Sequence, residues 1–339
     1  MLQSTQLNED VQNVTAGYAS AAAFSNVTSS DINLDVMGGS TTSLLSLDSN
    51  SIAASFKGAS AANTVYVENG GLATLSSSAG ISNVQVAENV GTSGTTALSN
   101  AVVSSTSGIA ATVTGSLDTT SVELTQNSMT SSAAQNTATN TLYVADGISV
   151  DSSGNSSTNA ASNISLSSAA SSVTAAVDNA DLFVSNVQTS ADSSIVAQTN
   201  GADGITLSSA GDAQTVAITA TNNTVSATTT GNKNTGNLIV AGANDLNAVV
   251  AQTNVQSFAD TTDDALGNSA SSTISDPLLS LTVASGAGTT VGSSAAISLS
   301  SNAVTSSATA NTATMSTSLK GNSLTDGVAA GTGVAPSAI

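Results

Sequence analysis

Asn50-Ser51-Ile52-Ala53-Ala54, followed by Asn63-Thr64-Val65-Tyr66-Val67, returns almost unchanged as Asn127-Ser128-Met129-Thr130-Ser131 and Asn140-Thr141-Leu142-Tyr143-Val144. Both copies keep one spacing between their two Asn, from 50 to 63 and from 127 to 140. A third copy, Asn223-Thr224-Val225-Ser226-Ala227 with Asn237-Leu238-Ile239-Val240, requires one inserted residue, and a fourth begins Asn302-Ala303-Val304-Thr305-Ser306. A second signature, Asn-Val-Gln, follows at Asn83-Val84-Gln85, Asn186-Val187-Gln188 and Asn254-Val255-Gln256. These are degenerate tandem copies, and self-similarity on this scale decides an architecture before any motif does.

The copies are built from short alternating runs, apolar then polar, closed by Asn, Gly, Ser or Asp. Asn83-Val84-Gln85-Val86, Ser121-Val122-Glu123-Leu124-Thr125, Thr215-Val216-Ala217-Ile218-Thr219 and Leu279-Ser280-Leu281-Thr282-Val283 are further examples. Period two and prominent β-branched residues predict strands throughout, hence an all-β chain. Ala19 to Ala23 is Ala-rich, but its Ser, Thr and Asn neighbours compete for the backbone and argue against a helix. The superunits start at 50, 127, 223 and 302, far enough apart that each is expected to hold several coils. A parallel β-solenoid (β-helix) fits, because each coil needs only a thin apolar stripe against its neighbours. Recurrent Asn fits too, since stacked amides bond along a stack and Asn tolerates left-handed corners. Tandem β-sandwich domains are the alternative, although sandwiches normally want larger core side chains. The repeat region is read as 1–320 and residues 321–339 as a polar, Gly-rich tail.

Composition removes most function classes. Among 339 residues there is no Cys, His, Trp or Arg, and Lys57, Lys233 and Lys320 stand against 22 acids for a formal net charge of -19. A nucleic-acid groove has almost no cations to build from. Disulfides, thiolate chemistry, soft-metal sites and imidazole catalysis have no residues at all. Charge is only 7% and the hydrophobic fraction 40%, unlike an acidic coil, so the chain is expected to fold. Three Tyr and four Phe leave the core to Val, Ile, Leu and Ala. No apolar run approaches the roughly 20 residues that span a bilayer, so no membrane insertion is expected. Met1 to Asp10 has neither the basic nor the apolar region of a secretory signal peptide, which leaves another export route or a virion component open.

The alternation of Asn-x-Val-x-Ala, Gly-Asn and Asn-x-Leu-x-Val with Asn-Val-Gln resembles bacterial β-strand-repeat surface proteins, grouped loosely with adhesins and S-layer proteins; similar repeats occur in phage fibres. The resemblance covers most of the chain and rests largely on composition. It implies a structural or adhesive role outside the cell or on its surface, with glycans or other cells as partners, or a tail or capsid fibre in a virion. It transfers no functional residue. The Gly-Asp nonapeptides of calcium-binding RTX repeats are missing, so that calcium role is not implied.

Paired carboxylates are the only acid/base chemistry available, and a β-helix glycosidase could use two of them. The adjacent pairs are Glu9 with Asp10 and Asp263 with Asp264. Neighbours on a strand point to opposite faces and neighbours in a loop are solvated, while the absence of Trp removes the usual sugar platform. No catalytic residue is assigned. Calcium requires only oxygen ligands, and the cluster Asp260, Asp263 and Asp264 is the candidate, followed by Asp151 with Asn155; the competing reading is a solvated acidic loop. No cofactor is required. Tyr66 and Tyr143 occupy equivalent positions with Ile239 in the third copy, which argues for packing and against a ligand platform. Thr228-Thr229-Thr230 invites comparison with the Thr arrays of ice-binding proteins, but no regular ladder of such sites is visible in the sequence.

Strand edges need Lys, Pro or charge to stay unpaired, and here only Pro277, Pro336 and three lysines could serve. A head-to-tail homopolymer is therefore expected, with contacts near Met1 to Asp10 or Gly321 to Ile339. Three lysines also limit trypsin to four fragments even after heating. Elastase, for which sites abound, should leave the native chain largely intact and digest it quickly after denaturation; fast cleavage of native protein on a gel time course would contradict a compact β structure.

Overall fold

In the computed structural model the described residues are 2–10, 23–28, 31–68, 74–89, 97–105, 108–151, 162–165, 172–175, 180–191, 194–200, 204–259, 269–275, 278–321 and 324–325. They are all-β, without a helix. The chain lays down the same series of strands four times. The first tier is β1 (Leu2–Asp10), β2 (Ala23–Val27), β3 (Ile32–Val36), β4 (Ser40–Thr41), β5 (Leu44–Asp48), β6 (Ser51–Val67) and β7 (Thr74–Leu75). The second is β8 (Ala79–Asn89), β9 (Ala97–Ser104), β10 (Ile109–Val113), β11 (Leu117–Asp118), β12 (Ser121–Thr125), β13 (Ser128–Val144) and β14 (Ser149–Asp151). A small antiparallel pair, β15 (Ser162–Ser165) with β16 (Ser172–Ala175), is inserted here.

The third tier is β17 (Leu182–Ala191), β18 (Ser194–Asn200), β19 (Gly204–Ser209), β20 (Ala213–Gln214), β21 (Ala217–Thr221), β22 (Thr224–Ala243) and β23 (Leu246–Asn247). The last comprises β24 (Val250–Ala259), β25 (Ser269–Ile274), β26 (Leu278–Thr282), β27 (Ala296–Ser300), β28 (Ala303–Gly321) and β29 (Leu324–Thr325). Every strand outside the insertion pairs in parallel with its counterpart one tier away, giving sheets such as β1-β8-β17-β24 and β6-β13-β22-β28.

Pairing therefore runs between superunits, and the sequence offsets of 77, 96 and 79 between successive repeat Asn are each one tier. The expectation of several coils per superunit is corrected. Its source is visible in β6 and β13: two sequence runs that read as separate strands are one strand of 17 residues, because the intervening Ser, Ala and Thr continue the extended backbone. The longest offset, from Asn127 to Asn223, holds the extra segment between β14 and β17. No inserted residue is needed in the third copy either: Leu142 pairs with Leu238 and Met129 with Val225 at one constant offset, and Asn237 takes the place of Thr141.

The long strand changes face at its middle. Gln135 is skipped in the pairing while the offset to both neighbouring strands stays constant, and both Gln135 and Asn136 are buried, so the alternation flips without an inserted residue. The first half then buries Met129 and Ala133, the second Leu142 and Val144. Two apolar compartments result. One joins the first halves of the long strands to Ala101, Val103, Ile109, Val122, Ile195, Ile205 and Ile218. The other joins the second halves to Ile81, Val150, Leu182, Val184 and Leu246. Small and medium aliphatics suffice because each contacts its own column above and below.

Corners are made without many glycines. Ser49, Gln126, Asn222 and Ser301 all have φ between 54° and 57°, and each directly precedes a repeat Asn. The left-handed residue is thus the predecessor of Asn50, Asn127, Asn223 and Asn302, not those Asn themselves. Such non-Gly conformations cost about 1 kcal/mol or more apiece. At the flip of the long strands, tiers one and three carry Gly58 and Gly231, where an added Cβ would lie 2.5 Å from the Gln135 carbonyl oxygen and 2.3 Å from that of Ala310. Gly231→Ala should lower stability by about 1 to 3 kcal/mol, read as a lower thermal midpoint with the circular dichroism spectrum of the folded state unchanged.

Candidate functional site

Between the two apolar compartments lies a buried layer of amides. The β1-β8-β17-β24 sheet sends Asn83, Gln85, Asn186 and Gln188 into it, and the long-strand sheet sends Asn63, Asn136, Asn140, Asn232 and Asn234, most of them fully buried. Buried amides must be paired. Along the stack, Asn83 Nδ2 donates to Asn186 Oδ1 at 2.8 Å and Asn186 Nδ2 to Asn254 Oδ1 at 2.7 Å. Gln256 Nε2 donates to Gln188 Oε1 at 2.7 Å and Gln188 Nε2 to Gln85 Oε1 at 2.6 Å, the opposite sense. Across the layer, Asn63 Nδ2 reaches Asn83 Oδ1 at 3.1 Å, while Gln85 and Gln188 donate to the backbone carbonyls of Thr137 and Lys233 at 2.9 Å. The two sheets are thereby tied to each other and each tier to the next.

A second ladder runs along the corner. Asn50 Nδ2 donates to Asn127 Oδ1 at 2.9 Å, Asn127 Nδ2 to Asn223 Oδ1 at 3.0 Å, and Asn223 Nδ2 to Asn302 Oδ1 at 2.8 Å. The backbone N–H of each of the first three donates to the same oxygen of the next tier. The remaining amide hydrogen of Asn127, Asn223 and Asn302 caps a carbonyl of the preceding tier, those of Leu47, Leu124 and Ala220. These bonds hold the left-handed corner in place. Where a column lacks an amide the ladder stops: Asn136 Oδ1, above Ala59, is buried without a donor, and so is Asn234 Nδ2 without an acceptor, opposite Ala313.

The predicted calcium cluster Asp260, Asp263 and Asp264 lies outside the described residues, as does Asn155. Asp151 is described and accepts from Asn247 Nδ2 at 3.2 Å, and no group of three potential ligands occurs among the described residues. Glu9 and Asp10 fall in β1 opposite Glu88 and Asn89. Tyr66 and Tyr143 are register partners whose rings stack at 4.7 Å and 1° between planes. Tyr66 is 54% exposed, so the packing expected of this pair occurs on the outer surface and not in the core. Desolvation first, then the neighbouring Tyr143 and Glu68, hold the Tyr66 phenol above its ordinary pKa.

Thr228 and Thr230 face outward while Thr229 is buried. Contrary to the sequence reading, hydroxyl columns do exist: Ser55, Ser132, Thr228 and Ser307 are in register, as are Thr130, Ser226 and Thr305. Degenerate spelling, Ser for Thr, hid them.

The end tiers differ from the middle ones. Ile109 and Ile205 are 0% exposed, but Leu279 in the same column of the last tier is 48% exposed. Ile297 caps the Val122 and Ile218 column at 41%, and Leu319 the Val144 and Val240 column at 37%. Sequence reading missed these positions because each looks like any other core residue of its repeat; only the tier number distinguishes them. Comparison of the chain with models of protein families, curated proteins and solved structures finds no match.

Asn186 is a junction of the amide layer, accepting from Asn83 and from Asn140 at 3.4 Å and donating to Asn254. Asn186→Ala should cost about 2 to 5 kcal/mol, since each buried partner left unpaired costs about 1 to 3 kcal/mol. Urea unfolding would read this as a lower midpoint at unchanged slope.

Proposed function

We propose that the chain is a four-tier parallel β-solenoid serving as the structural subunit of an extracellular self-assembling filament, surface layer or adhesive matrix. The observation that carries this reading is the open core: large apolar side chains that are sealed in the middle tiers, such as Ile109 and Ile205, give way to Leu279, Ile297 and Leu319 standing 37% to 48% exposed in the last tier. Monomeric solenoids cover such ends with a polar capping element. The edge strands β6 and β28 are 17 and 19 residues long, which is a long template for pairing with another chain.

The repeat signatures, the resemblance to β-strand-repeat surface proteins and the absence of Cys and His support a passive, extracellular role over a catalytic one. The Ser- and Thr-rich outer face of the long-strand sheet suits a hydrated contact surface for glycans or neighbouring cells. Repulsion at a net charge of -19 opposes association, so salt and divalent cations such as calcium should favour it.

Sedimentation and negative-stain imaging across a salt and calcium series test this. Polymers should grow with ionic strength and show an axial subunit repeat of about 19 Å, four tiers at about 4.8 Å. A monomer under every condition, with both termini intact, would overturn the reading, and turnover of a polysaccharide by the purified protein would replace it with an enzymatic one.

A further inference from the structure

We infer that copies join head to tail in the register of the internal tiers, the last tier of one chain seating on the first tier of the next, with Asn302 of one copy bonded to Asn50 of its neighbour. This inference rests on the self-assembly reading above and specifies its joint. The partner is a second copy of this chain.

Hydrogen-bond polarity is the first argument. In the corner ladder each tier donates a backbone N–H and an amide hydrogen to the Asn Oδ1 of the following tier. The pattern ends with complementary groups at the two ends. Among the described residues Asn50 Oδ1 accepts no hydrogen bond, while the backbone N–H of Asn302 and one of its amide hydrogens have no acceptor. A fifth tier following Asn302 would present an oxygen where Asn50 carries one. Two first tiers meeting face to face would set acceptor against acceptor, and two last tiers donor against donor.

Shape agrees. The apolar columns begin and end on residues of similar size: Ile32 and Leu279, Leu45 and Ile297, Ile52 and Val304, Val67 and Leu319. Continuing each column across the joint buries the exposed last-tier side chains against their first-tier counterparts. Both surfaces are different patches of one molecule, so the contact is heterologous and propagates as an open filament.

Charge among the described residues is compatible with this joint. The described residues of the last tier contain no acid, and Lys320 is their only charged side chain. The first tier carries Asp31, Asp35, Asp48 and Glu68 at exposed positions, and its first strand adds Glu9 and Asp10. Register places Asp35 beside Thr282 and Asp48 beside Ser300 of the adjoining copy, while Glu68 and Lys320 each directly follow the end of the Val67–Leu319 column, where β22 and β28 shift register, and so come to the same edge of the joint. Asp35 and Asp48 thus meet hydroxyls, while Asp31 comes beside Leu278 and Glu9 beside Ala259, so no first-tier acid described faces an acid described in the last tier.

The chain has no native Cys, which makes crosslinking unambiguous. Ser51 and Ser128, register partners in adjacent tiers, have hydroxyls 2.9 Å apart, and Ala303 occupies the same column in the last tier. The double variant S51C/A303C, oxidised under assembling conditions, should give a ladder of covalent multimers on a non-reducing gel, while S51C alone gives none. Glu68→Lys should weaken assembly at low salt at least tenfold in critical concentration, and E68K/K320E should restore it. Filaments that form without the S51C/A303C ladder, or that crosslink through S51C alone, would overturn this joint and leave self-assembly standing. Failure of the unmodified protein to assemble in any condition would overturn both.

Discussion

The constraint on which the rest of this structure depends is that a buried primary amide must find its partners, and here it finds them in the same residue one tier away. Asn83, Asn186 and Asn254 form one such column, and Gln85, Gln188 and Gln256 form another two positions along the same strands. A slip by one residue in one tier would turn the column outward and leave its buried neighbours unpaired. Register is therefore fixed by polar groups, and the aliphatic columns on both sides follow it. An all-aliphatic stack of Val, Ile and Ala would tolerate slippage far better.

The same layer explains how a wide molecule folds with few aromatics. The described strands of the first tier run from Leu2 to Leu75, and their apolar side chains fall into more than one cluster. Dividing the interior into two apolar compartments with an amide web between them keeps every compartment narrow enough for Val, Leu, Ile and Met129 to fill. The face change at Gln135 is what lets one strand serve both. Net hydrogen-bond contributions are modest, about 1 kcal/mol each, yet the cost of leaving any of these groups unpaired is larger, so the web contributes more to uniqueness than to stability.

Repetition by translation also means that the ends of the stack are chemically continuous with its middle. Among the described residues the corner column ends on an acceptor at Asn50 and on donors at Asn302. Under the proposed head-to-tail joint, the contacts that pair one tier with the next would serve between copies as well, with no separate interface. Net negative charge opposes the proposed association, which would put its control in the ionic environment and not in a dedicated side chain.

By itself the sequence determined the strand content, the four copies and their intervals, because period-two alternation and the returning Asn and Asn-Val-Gln are local features. Missing His and Cys also removed imidazole and thiolate chemistry, and three Lys without Arg argued against a nucleic-acid groove. What it could not supply was which runs belong to one strand, since Ser, Ala and Thr between Ile52 and Val65 read equally well as a turn. Nor could it show that Asn-Val-Gln faces Asn63 and Asn140 across the interior, or that Ser and Thr spellings align into outward columns, because those relations join residues 20 to 103 positions apart. Only the tertiary structure decided that Leu279, Ile297 and Leu319 are partly exposed while their register partners in the middle tiers are sealed, because no local pattern of a repeat records its place in the stack.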